Sequence, residues 1–249
     1  SITPTATARR SSSGNSGGSL SFTPPSRYVP AGSSPKSTPS VRTGVAEAGG
    51  SLPSSAGLLE RKLLAKASPA DESRLRERLE ERVPGVEVAG IYQAVNTVQK
   101  SVYEALKVSM QKQYADESFP VEKELWHGTS WTFAPKILKQ GFNRSFAGRH
   151  GTLLGNGTYF SSDPAYSLRF CDKKGGGKDV TKVLIVAQVL VGKYCRGCSS
   201  DMEPPIMDCE TGDRYDCTVD NVEKPSIFAV FRDFQAFPLY LVEVKAKCV

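Results

Sequence analysis

The chain has 249 residues, of which 39% are hydrophobic, and it carries a formal net charge of +6. This is enough apolar material for one good-sized domain plus an appendage. The moderate positive charge is typical of proteins that attract an anionic ligand, such as a dinucleotide pyrophosphate, or that contact nucleic acid weakly. No stretch is long and apolar enough to cross a bilayer, and no signal-peptide pattern opens the chain, so we predict an intracellular protein, nuclear or cytoplasmic, without a membrane partner.

The N-terminal third of the chain predicts a tail and a linker. Residues 1–57 are rich in Ser, Gly, Pro and Thr and have too few large apolar side chains to offset the entropy of ordering, so we expect them to be disordered. Residues 58–85 are expected to form a charged helical linker, which opens with a short amphipathic helix over 58–66. A second helix follows, because Ser68 is a good N-cap and Pro69 suits the first helical position.

The folded domain is predicted to cover residues 86–249 and to begin with an amphipathic helix. The evidence is a set of apolar residues at the spacing of one helix face, namely Ile91, Val95, Val98, Val102 and Leu106. Burial of each such side chain contributes roughly 1.5–3 kcal/mol before entropy, so this helix should dock on the rest of the domain.

Two short motifs carry the chemistry of this domain. Residues 124–129 (ELWHGT) predict a strand that ends in a polar turn, because Leu and Trp favour strands and the following residues can expose backbone groups. Residues 155–160 (GNGTYF) place Gly157 two positions before Tyr159, so a flat group can approach the backbone closely. A histidine (His127), a peptide edge and an aromatic face together suit a flat ring that bears an amide and carries a ribose.

The remaining elements predict an α+β domain. A helix over 133–140 should end at Gly141, and Asp163 with Pro164 should start another helix. Residues 183–191 (VLIVAQVLV) are apolar nearly throughout, so they predict a central strand covered on both faces. Helices early and strands late do not match alternating βαβ units, and no Gly-x-Gly-x-x-Gly turn supports a Rossmann mode of dinucleotide binding.

Four cysteines raise the question of a metal site. Cys195 and Cys198 form a C-x-x-C pair that Cys209 and Cys217 follow, so a zinc site can be drawn. The irregular spacing after the pair and its loop setting favour incidental thiols instead, and we expect no metal. Without a secretory signal, these thiols should be reduced and intracellular.

Three motifs in order resemble the catalytic domain of the poly(ADP-ribose) polymerase (PARP) family of diphtheria-toxin-like ADP-ribosyltransferases. The first is 125–129 (LWHGT), the second 157–160 (GTYF) and the third 225–231 (PSIFAVF). Any one of them alone would be weak evidence, whereas the three together are specific. The resemblance implies the ADP-ribosyltransferase fold, a largely antiparallel split sheet with flanking helices, and NAD+ as co-substrate.

The resemblance also implies roles for individual residues. His127 is expected to hold the adenosine ribose of NAD+, and the backbone of Gly128 to pair with the nicotinamide carboxamide. The hydroxyl group of Ser167 is expected to grip the same carboxamide. Tyr159 would stack on the nicotinamide ring. Phe170 would form the opposite wall, where some family members have tyrosine, with plain core packing as the alternative reading.

Two further positions complete the predicted donor site. Thr129 belongs to the first motif and is expected to contact the dinucleotide. Arg144, in the polar loop over 142–155, is our candidate for the adenosine or phosphate end, with a plain surface arginine as the alternative reading.

The third motif indicates the type of product. Polymerising members of the family have a glutamate where this chain has Ile227, and that carboxylate helps to activate an incoming ribose hydroxyl group. Isoleucine cannot accept a proton, whereas an Asp or Glu acceptor is already ionised at neutral pH. The resemblance therefore implies transfer of a single ADP-ribose to an acceptor protein, a class that includes the chain itself. Glu223 lies close to Ile227 in sequence and is the alternative source of that carboxylate, although its loop position makes it a poorer candidate.

Two other functions stay open at this stage. The first is a catalytically silent module that binds ADP-ribose or an RNA end, although the retained His127, Tyr159 and Ser167 argue against loss of the donor site. The second is nucleic-acid binding through the basic tail, which lacks the interleaved aromatic residues of a stacking surface.

Overall fold

A single mixed sheet with flanking helices forms the described part of the chain. The structure is a computed structural model, and it describes residues 63–144, 152–172 and 181–245. The predicted tail, residues 1–57, lies outside the described residues. Within those ranges the helices are α1 (Pro69–Arg82), α2 (Thr97–Gln113), α3 (Ala134–Gln140) and α4 (Pro164–Leu168). The strands are β1 (Leu64–Lys66), β2 (Glu87–Ala94), β3 (Glu122–Thr129), β4 (Thr158–Ser161), β5 (Thr181–Leu190), β6 (Tyr194–Arg196), β7 (Cys217–Val219), β8 (Ile227–Val230) and β9 (Ala236–Lys245).

The sheet confirms the predicted α+β class. Its strands follow the order β1-β2-β9-β5-β3-β4-β8-β7-β6, and neighbours are antiparallel except for β6 and β7. The predicted central strand is β5, which pairs with β3 on one side and β9 on the other. Its side chains are buried on both faces, as its apolar run predicts.

Helix α3 and helix α4 pack on opposite faces of this sheet. Leu138 of α3 belongs to the same buried cluster as Leu125, whereas Leu168 of α4 packs against the cluster that contains Trp126. Leu125 and Trp126 are neighbours on β3, and successive side chains of a strand point to opposite faces. A feature that touches both helices therefore reaches through the sheet.

Helix α1 begins as the sequence predicts and packs as part of the core. The Oγ atom of Ser68 accepts a hydrogen bond from the backbone N–H of Asp71 at 3.1 Å. Leu75 and Leu79 are fully buried and belong to the cluster around Trp126. The stretch 58–85 thus contains core residues, and whether the domain can be divided at residue 86 stays a prediction.

Salt bridges also join α1 to the sheet. Arg74 donates to the carboxylate of Glu124 at 2.7 Å, and Arg78 contacts the same carboxylate. Charges that alternate in sign along a helix are typical of a solvent-exposed face. In α1, however, two of these charges, Arg74 and Arg78, bind β3.

The predicted helix over 58–66 is wrong where the structure describes it. Leu64–Lys66 is strand β1, and Leu64 pairs with Ala94 of β2. Three residues alone carry little helical preference, so the open edge of β2 decides their conformation.

The helix predicted from Ile91 onward is also wrong in its first turns. Ile91 lies in β2, and α2 begins only after Asn96, whose side chain accepts from the N–H of Gln99 at 3.1 Å. Val98 is 73% exposed. The predicted apolar stripe therefore joins a strand residue, Ile91, to helix residues of different exposure, because Val98 faces solvent whereas Leu106 packs against the buried cluster around Tyr103.

A different face of α2 is buried. Its buried residues are Gln99, Tyr103 and Met110, again at helical spacing. The side-chain amide nitrogen of Gln99 donates to the carbonyl of Leu138 at 3.1 Å, whereas its Oε1 atom is buried without a hydrogen-bond partner among the described residues.

Candidate active site

The sheet splits between β3 and β4. These strands share one residue pair in the described chain, Trp126 with Ser161, whereas β3 pairs with β5 along its whole length. In antiparallel register the residues after Trp126 would face those before Ser161. Instead the two strands part, and residues 127–129 and 157–160 line a cavity of about 510 Å³. This volume is typical of a small-molecule or cofactor site.

The cavity reaches both faces of the sheet, because α3 and α4 both contribute to its wall. Of the residues predicted for the site, it brings together His127, Gly128, Thr129, Tyr159, Ser167 and Phe170. The sequence prediction that His127 and Tyr159 share one cleft is therefore met in the geometry.

His127 is tied to Tyr159 through the backbone. The Nδ1 atom of His127 lies 2.7 Å from the carbonyl oxygen of Tyr159. A carbonyl only accepts hydrogen bonds, so Nδ1 carries the proton, and Nε2 of the neutral ring is an acceptor. The ring packs edge-on against Phe142 at 5.2 Å and near Phe160 at 5.4 Å between centroids. This packing fixes the orientation of the imidazole.

Gly128 has to be glycine because α4 presses on it. A Cβ atom there would lie 1.9 Å from the backbone carbonyl oxygen of Ser167. The Ser167 hydroxyl group donates to the carbonyl of Trp126 at 3.1 Å, two residues before Gly128. The peptide edge of β3 and the serine of α4 are therefore held next to each other, where a planar amide could contact both.

Helix α4 places this serine as the sequence predicts. Asp163 is the N-cap, and its carboxylate accepts from the N–H of Ala165 at 3.0 Å, with Pro164 at the first helical position.

Tyr159 anchors the loop that precedes its own strand. Its hydroxyl group accepts from the N–H of Leu154 at 2.7 Å and donates to the carbonyl of Gly155 at 2.8 Å. Burial raises the pKa of the Tyr159 phenol above its ordinary value, although the Leu154 N–H lowers it in part. The phenol is therefore protonated at neutral pH and can keep its donor bond.

An aromatic pair lines the cavity at α4. Phe170 lies 5.0 Å from Tyr166 between ring centroids, and both residues line the cavity. Tyr166 is absent from the sequence-based predictions. The signal that could have found it is its position four residues before Phe170, since residues at this spacing share one helix face.

Two predicted site residues do not line the cavity. Arg144 donates from Nη1 to the carbonyl of Phe231 at 3.1 Å. Ile227 is half-buried and packs against the cluster of Leu154, Ala229 and Phe231. The apolar residue of the third motif thus extends an apolar patch beside Tyr159.

Several lining residues are absent from the sequence-based predictions. Most of them lie on α3 or directly beside it, and the helical spacing of Phe133, Lys136, Ile137 and Gln140 could have indicated a shared face. The residues of this group are Phe133, Lys136, Ile137, Gln140, Phe142 and Asn143. Asp172, after α4, and Leu153 also line the cavity. The second histidine of the chain, His150, is expected from its sequence context to be a loop residue, and it lies outside the described residues.

The cysteines form no metal centre in the ranges that the structure describes, where no group of three or more His, Cys, Asp or Glu side chains is placed to hold an ion. Cys217 is buried in β7, and burial raises the pKa of its thiol. Cys198 is exposed, and its hydrogen bond with Ser200 lowers the pKa of its thiol. Among the described helices, none is both long and apolar enough for a membrane span.

A comparison with protein-family models matches residues 75–246 to the poly(ADP-ribose) polymerase catalytic domain. The chain belongs to this family. The match covers all three sequence motifs and the cavity between β3 and β4, so the PARP fold and the candidate site coincide. It begins within α1, which agrees with the burial of that helix in the PARP core.

Curated PARP relatives are similar over part of their length. The chain is 32% identical to the human protein mono-ADP-ribosyltransferase PARP12 over 182 residues, 73% of this chain and 25% of that protein. It is 41% identical to mouse protein mono-ADP-ribosyltransferase PARP10 over 51% of this chain and 13% of that protein. It is 38% identical to the mouse PARP11 enzyme over 49% of this chain and 42% of that protein. The chain therefore spans less than half the length of these relatives.

Proposed function

We propose that the chain transfers one ADP-ribose unit from NAD+ to a protein side chain and releases nicotinamide. The observation that carries this proposal is the single cavity in the split of the sheet, which gathers His127, Tyr159, Gly128 and Ser167. The similar proteins PARP12, PARP10 and PARP11 are named protein mono-ADP-ribosyltransferases, which supports the same reaction.

The reaction uses NAD+ as a sugar donor. The bond between ribose C1′ and the nicotinamide nitrogen breaks, and its electron pair passes to the ring, which leaves as neutral nicotinamide. An oxygen of the acceptor forms the new bond to C1′, through an oxocarbenium-like transition state. Rigid binding of nicotinamide aligns its departure and keeps water away, and the protein's main task is this positioning.

We assign the positioning work to four residues. Gly128 offers its backbone and Ser167 its hydroxyl group to the nicotinamide carboxamide, since α4 holds them side by side. Tyr159 supplies a ring face, and its hydroxyl group holds the adjoining loop through hydrogen bonds to Leu154 and Gly155. His127, whose Nδ1–H is held by the Tyr159 carbonyl, is the residue that we assign to a ribose hydroxyl group of NAD+.

The single-unit product follows from Ile227. An isoleucine in an apolar patch cannot remove a proton from a ribose hydroxyl group, so chain extension lacks its general base. A carboxylate acceptor needs no such base, because it is ionised at neutral pH. We therefore include Asp or Glu side chains of proteins, this chain among them, as the acceptor class.

An intracellular location, in the nucleus or the cytoplasm, is part of the proposal. Its support is the free state of the described cysteines, Cys171, Cys195, Cys198, Cys209 and Cys217, which suits a reducing compartment.

The test is incubation of the chain with NAD+ labelled in the adenylate group. We expect a single-unit mass shift and stoichiometric nicotinamide release, both lost in Tyr159→Ala. Tyr215→Ala is the matched control, because Tyr215 does not line the cavity. Ladders of labelled product would contradict single transfer. Binding of ADP-ribose without nicotinamide release would instead favour the silent binding module.

A further inference from the structure

Lys136 of α3 is the one lysine or arginine among the described residues that line the cavity. Its Nζ atom lies 5.0 Å from the ring centroid of Phe133, which lines the same cavity. An ammonium group over an aromatic face is attracted by the ring, so this contact holds the cation along the cavity wall.

The charges of the cavity are separated by the sheet. Lys136 belongs to α3 on one face, whereas Asp172, a lining carboxylate, follows α4 on the other. NAD+ is also divided in charge, with a cationic nicotinamide ring at one end and an anionic pyrophosphate further along. The same cavity extends from Gly128 and Ser167 to Lys136, so a dinucleotide with its nicotinamide between the first two residues has room to reach α3.

We propose that Lys136 is a donor-binding residue that pairs with the pyrophosphate of NAD+. The inference rests on the proposed function, because it takes the nicotinamide end to lie at α4. A hydrogen bond between an ammonium group and a phosphate oxygen is about twice as strong as a neutral one. Lys136 is solvent-exposed, so salt should weaken the pairing.

Two methionine substitutions on the same short helix test this role. Lys136→Met removes the cavity cation, and Lys139→Met removes the same charge from an exposed residue that does not line the cavity. Binding of NAD+, ADP-ribose and free nicotinamide to the whole chain is measured by calorimetry at low and high salt.

We expect Lys136→Met to weaken ADP-ribose and NAD+ binding about tenfold at low salt, the usual scale for a hydrogen bond to a charged group. Its nicotinamide affinity should equal that of the wild-type chain, and its ADP-ribose affinity should depend less on salt. Lys139→Met should match the wild-type chain for all three ligands, and Lys136→Arg should keep most of the ADP-ribose affinity.

Equal ADP-ribose affinity in the two methionine variants overturns the role of Lys136. An equal loss for nicotinamide and ADP-ribose also overturns it, because the substitution would then act on the whole cavity. A wild-type chain that binds none of the ligands overturns this role and the proposed function together. Binding of ADP-ribose through Lys136 without nicotinamide release overturns the proposed function alone.

Discussion

The Nδ1 atom of His127 lies 2.7 Å from the backbone carbonyl oxygen of Tyr159, across the gap where β3 and β4 cease to pair. One side chain thus bridges the strands where the backbone ladder ends. The bridge fixes the imidazole tautomer and also limits how far the two strands can move apart.

His127 should tolerate asparagine better than alanine. The amide nitrogen of asparagine can occupy the place of Nδ1 and donate to the Tyr159 carbonyl, but it cannot replace Nε2. We expect His127→Asn to lower kcat/KM for NAD+ about fivefold, the scale of one neutral hydrogen bond. His127→Ala should lower it about 10²-fold, because the strands lose their bridge and the substrate its alignment. Equal losses in the two variants, measured by nicotinamide release, would argue that the bridge to Tyr159 is irrelevant.

Gly128→Ala should damage the site and the fold together. Its Cβ would lie 1.9 Å from the Ser167 carbonyl oxygen, so α4 or β3 must shift. Overpacking of this kind costs typically about 1–3 kcal/mol of unfolding free energy, measured by urea denaturation. We also expect nicotinamide binding to be lost.

Gly212→Ala is the control for this substitution. A Cβ there meets nothing within 4 Å, although its φ of 76° imposes backbone strain of about 1–2 kcal/mol. Nicotinamide binding should survive in this variant. Wild-type nicotinamide affinity in Gly128→Ala would show that the close contact with Ser167 is not needed.

Tyr159→Phe separates the ring from the hydroxyl group. The ring face remains, but the Leu154 N–H and the Gly155 carbonyl lose their partner, at a cost of about 1–3 kcal/mol. We expect a lower midpoint of thermal unfolding and weaker transfer, with nicotinamide affinity largely kept. Loss of nicotinamide binding as complete as in Tyr159→Ala would mean that the hydroxyl group, rather than the ring, holds the ligand.

The same hydroxyl group sets an alkaline limit. Because burial raises the pKa of Tyr159 in the folded chain, its contribution to stability is complete below the ordinary tyrosine pKa of about 10. It is lost as the pH rises through the folded-state value. Unfolding free energies of the wild-type chain and Tyr159→Phe should therefore differ by a constant amount up to about pH 10 and converge above it. Convergence near neutral pH would contradict the assigned protonation state.

Ile227→Glu should not convert the chain into a polymerase. Residue 227 packs against the cluster of Leu154 and Ala229 and is not among the residues that line the cavity, so a carboxylate there would be partly buried in an apolar patch. Gel analysis of labelled product should still show single units. Ile227→Gln serves as the uncharged control, and both variants should lose about 1–3 kcal/mol of stability. Long ladders from the glutamate variant alone would show that residue 227 is sufficient.

The domain start at residue 86 can be tested by truncation. Residues 63–249 keep α1, whereas residues 86–249 lose Leu75 and Leu79, each fully buried and contributing roughly 1.5–3 kcal/mol. We expect the longer fragment to unfold at the midpoint of the whole chain and the shorter one to be strongly destabilised in thermal scans. Equal midpoints would support residues 86–249 as an independent domain.

The sequence predicts those parts of the fold whose signals are local. The Ser68 cap, the Asp163 cap and the apolar run of β5 each depend on a few adjacent residues, and all three are confirmed. The helix predicted from Ile91 onward begins too early, since α2 starts at Thr97, and the side of it predicted to be buried includes the exposed Val98. Hydrophobicity alone does not tell a solvent-facing valine from a core one. Gln99 takes the core position instead, since Leu138 accepts its hydrogen bond.

The candidate site was predictable where a motif carried it. His127 and Tyr159 of the first two motifs line one cavity together with Ser167, a residue that the family resemblance implies. Arg144 was chosen for its charge within a loop, yet its guanidinium group binds the carbonyl of Phe231. Lys136 was overlooked because only the packing of α3 against the split sheet turns it toward the cavity, and that contact joins elements distant in sequence.

The parting of β3 from β4 after one pair has a consequence for ligand choice. Backbone groups that lose a strand neighbour have to find their hydrogen bonds elsewhere. A planar carboxamide beside Gly128 can form the backbone hydrogen bonds that a neighbouring strand would otherwise provide. A ring of the same size without an amide group cannot form them. The choice between leaving groups therefore depends on the point at which β3 and β4 stop pairing.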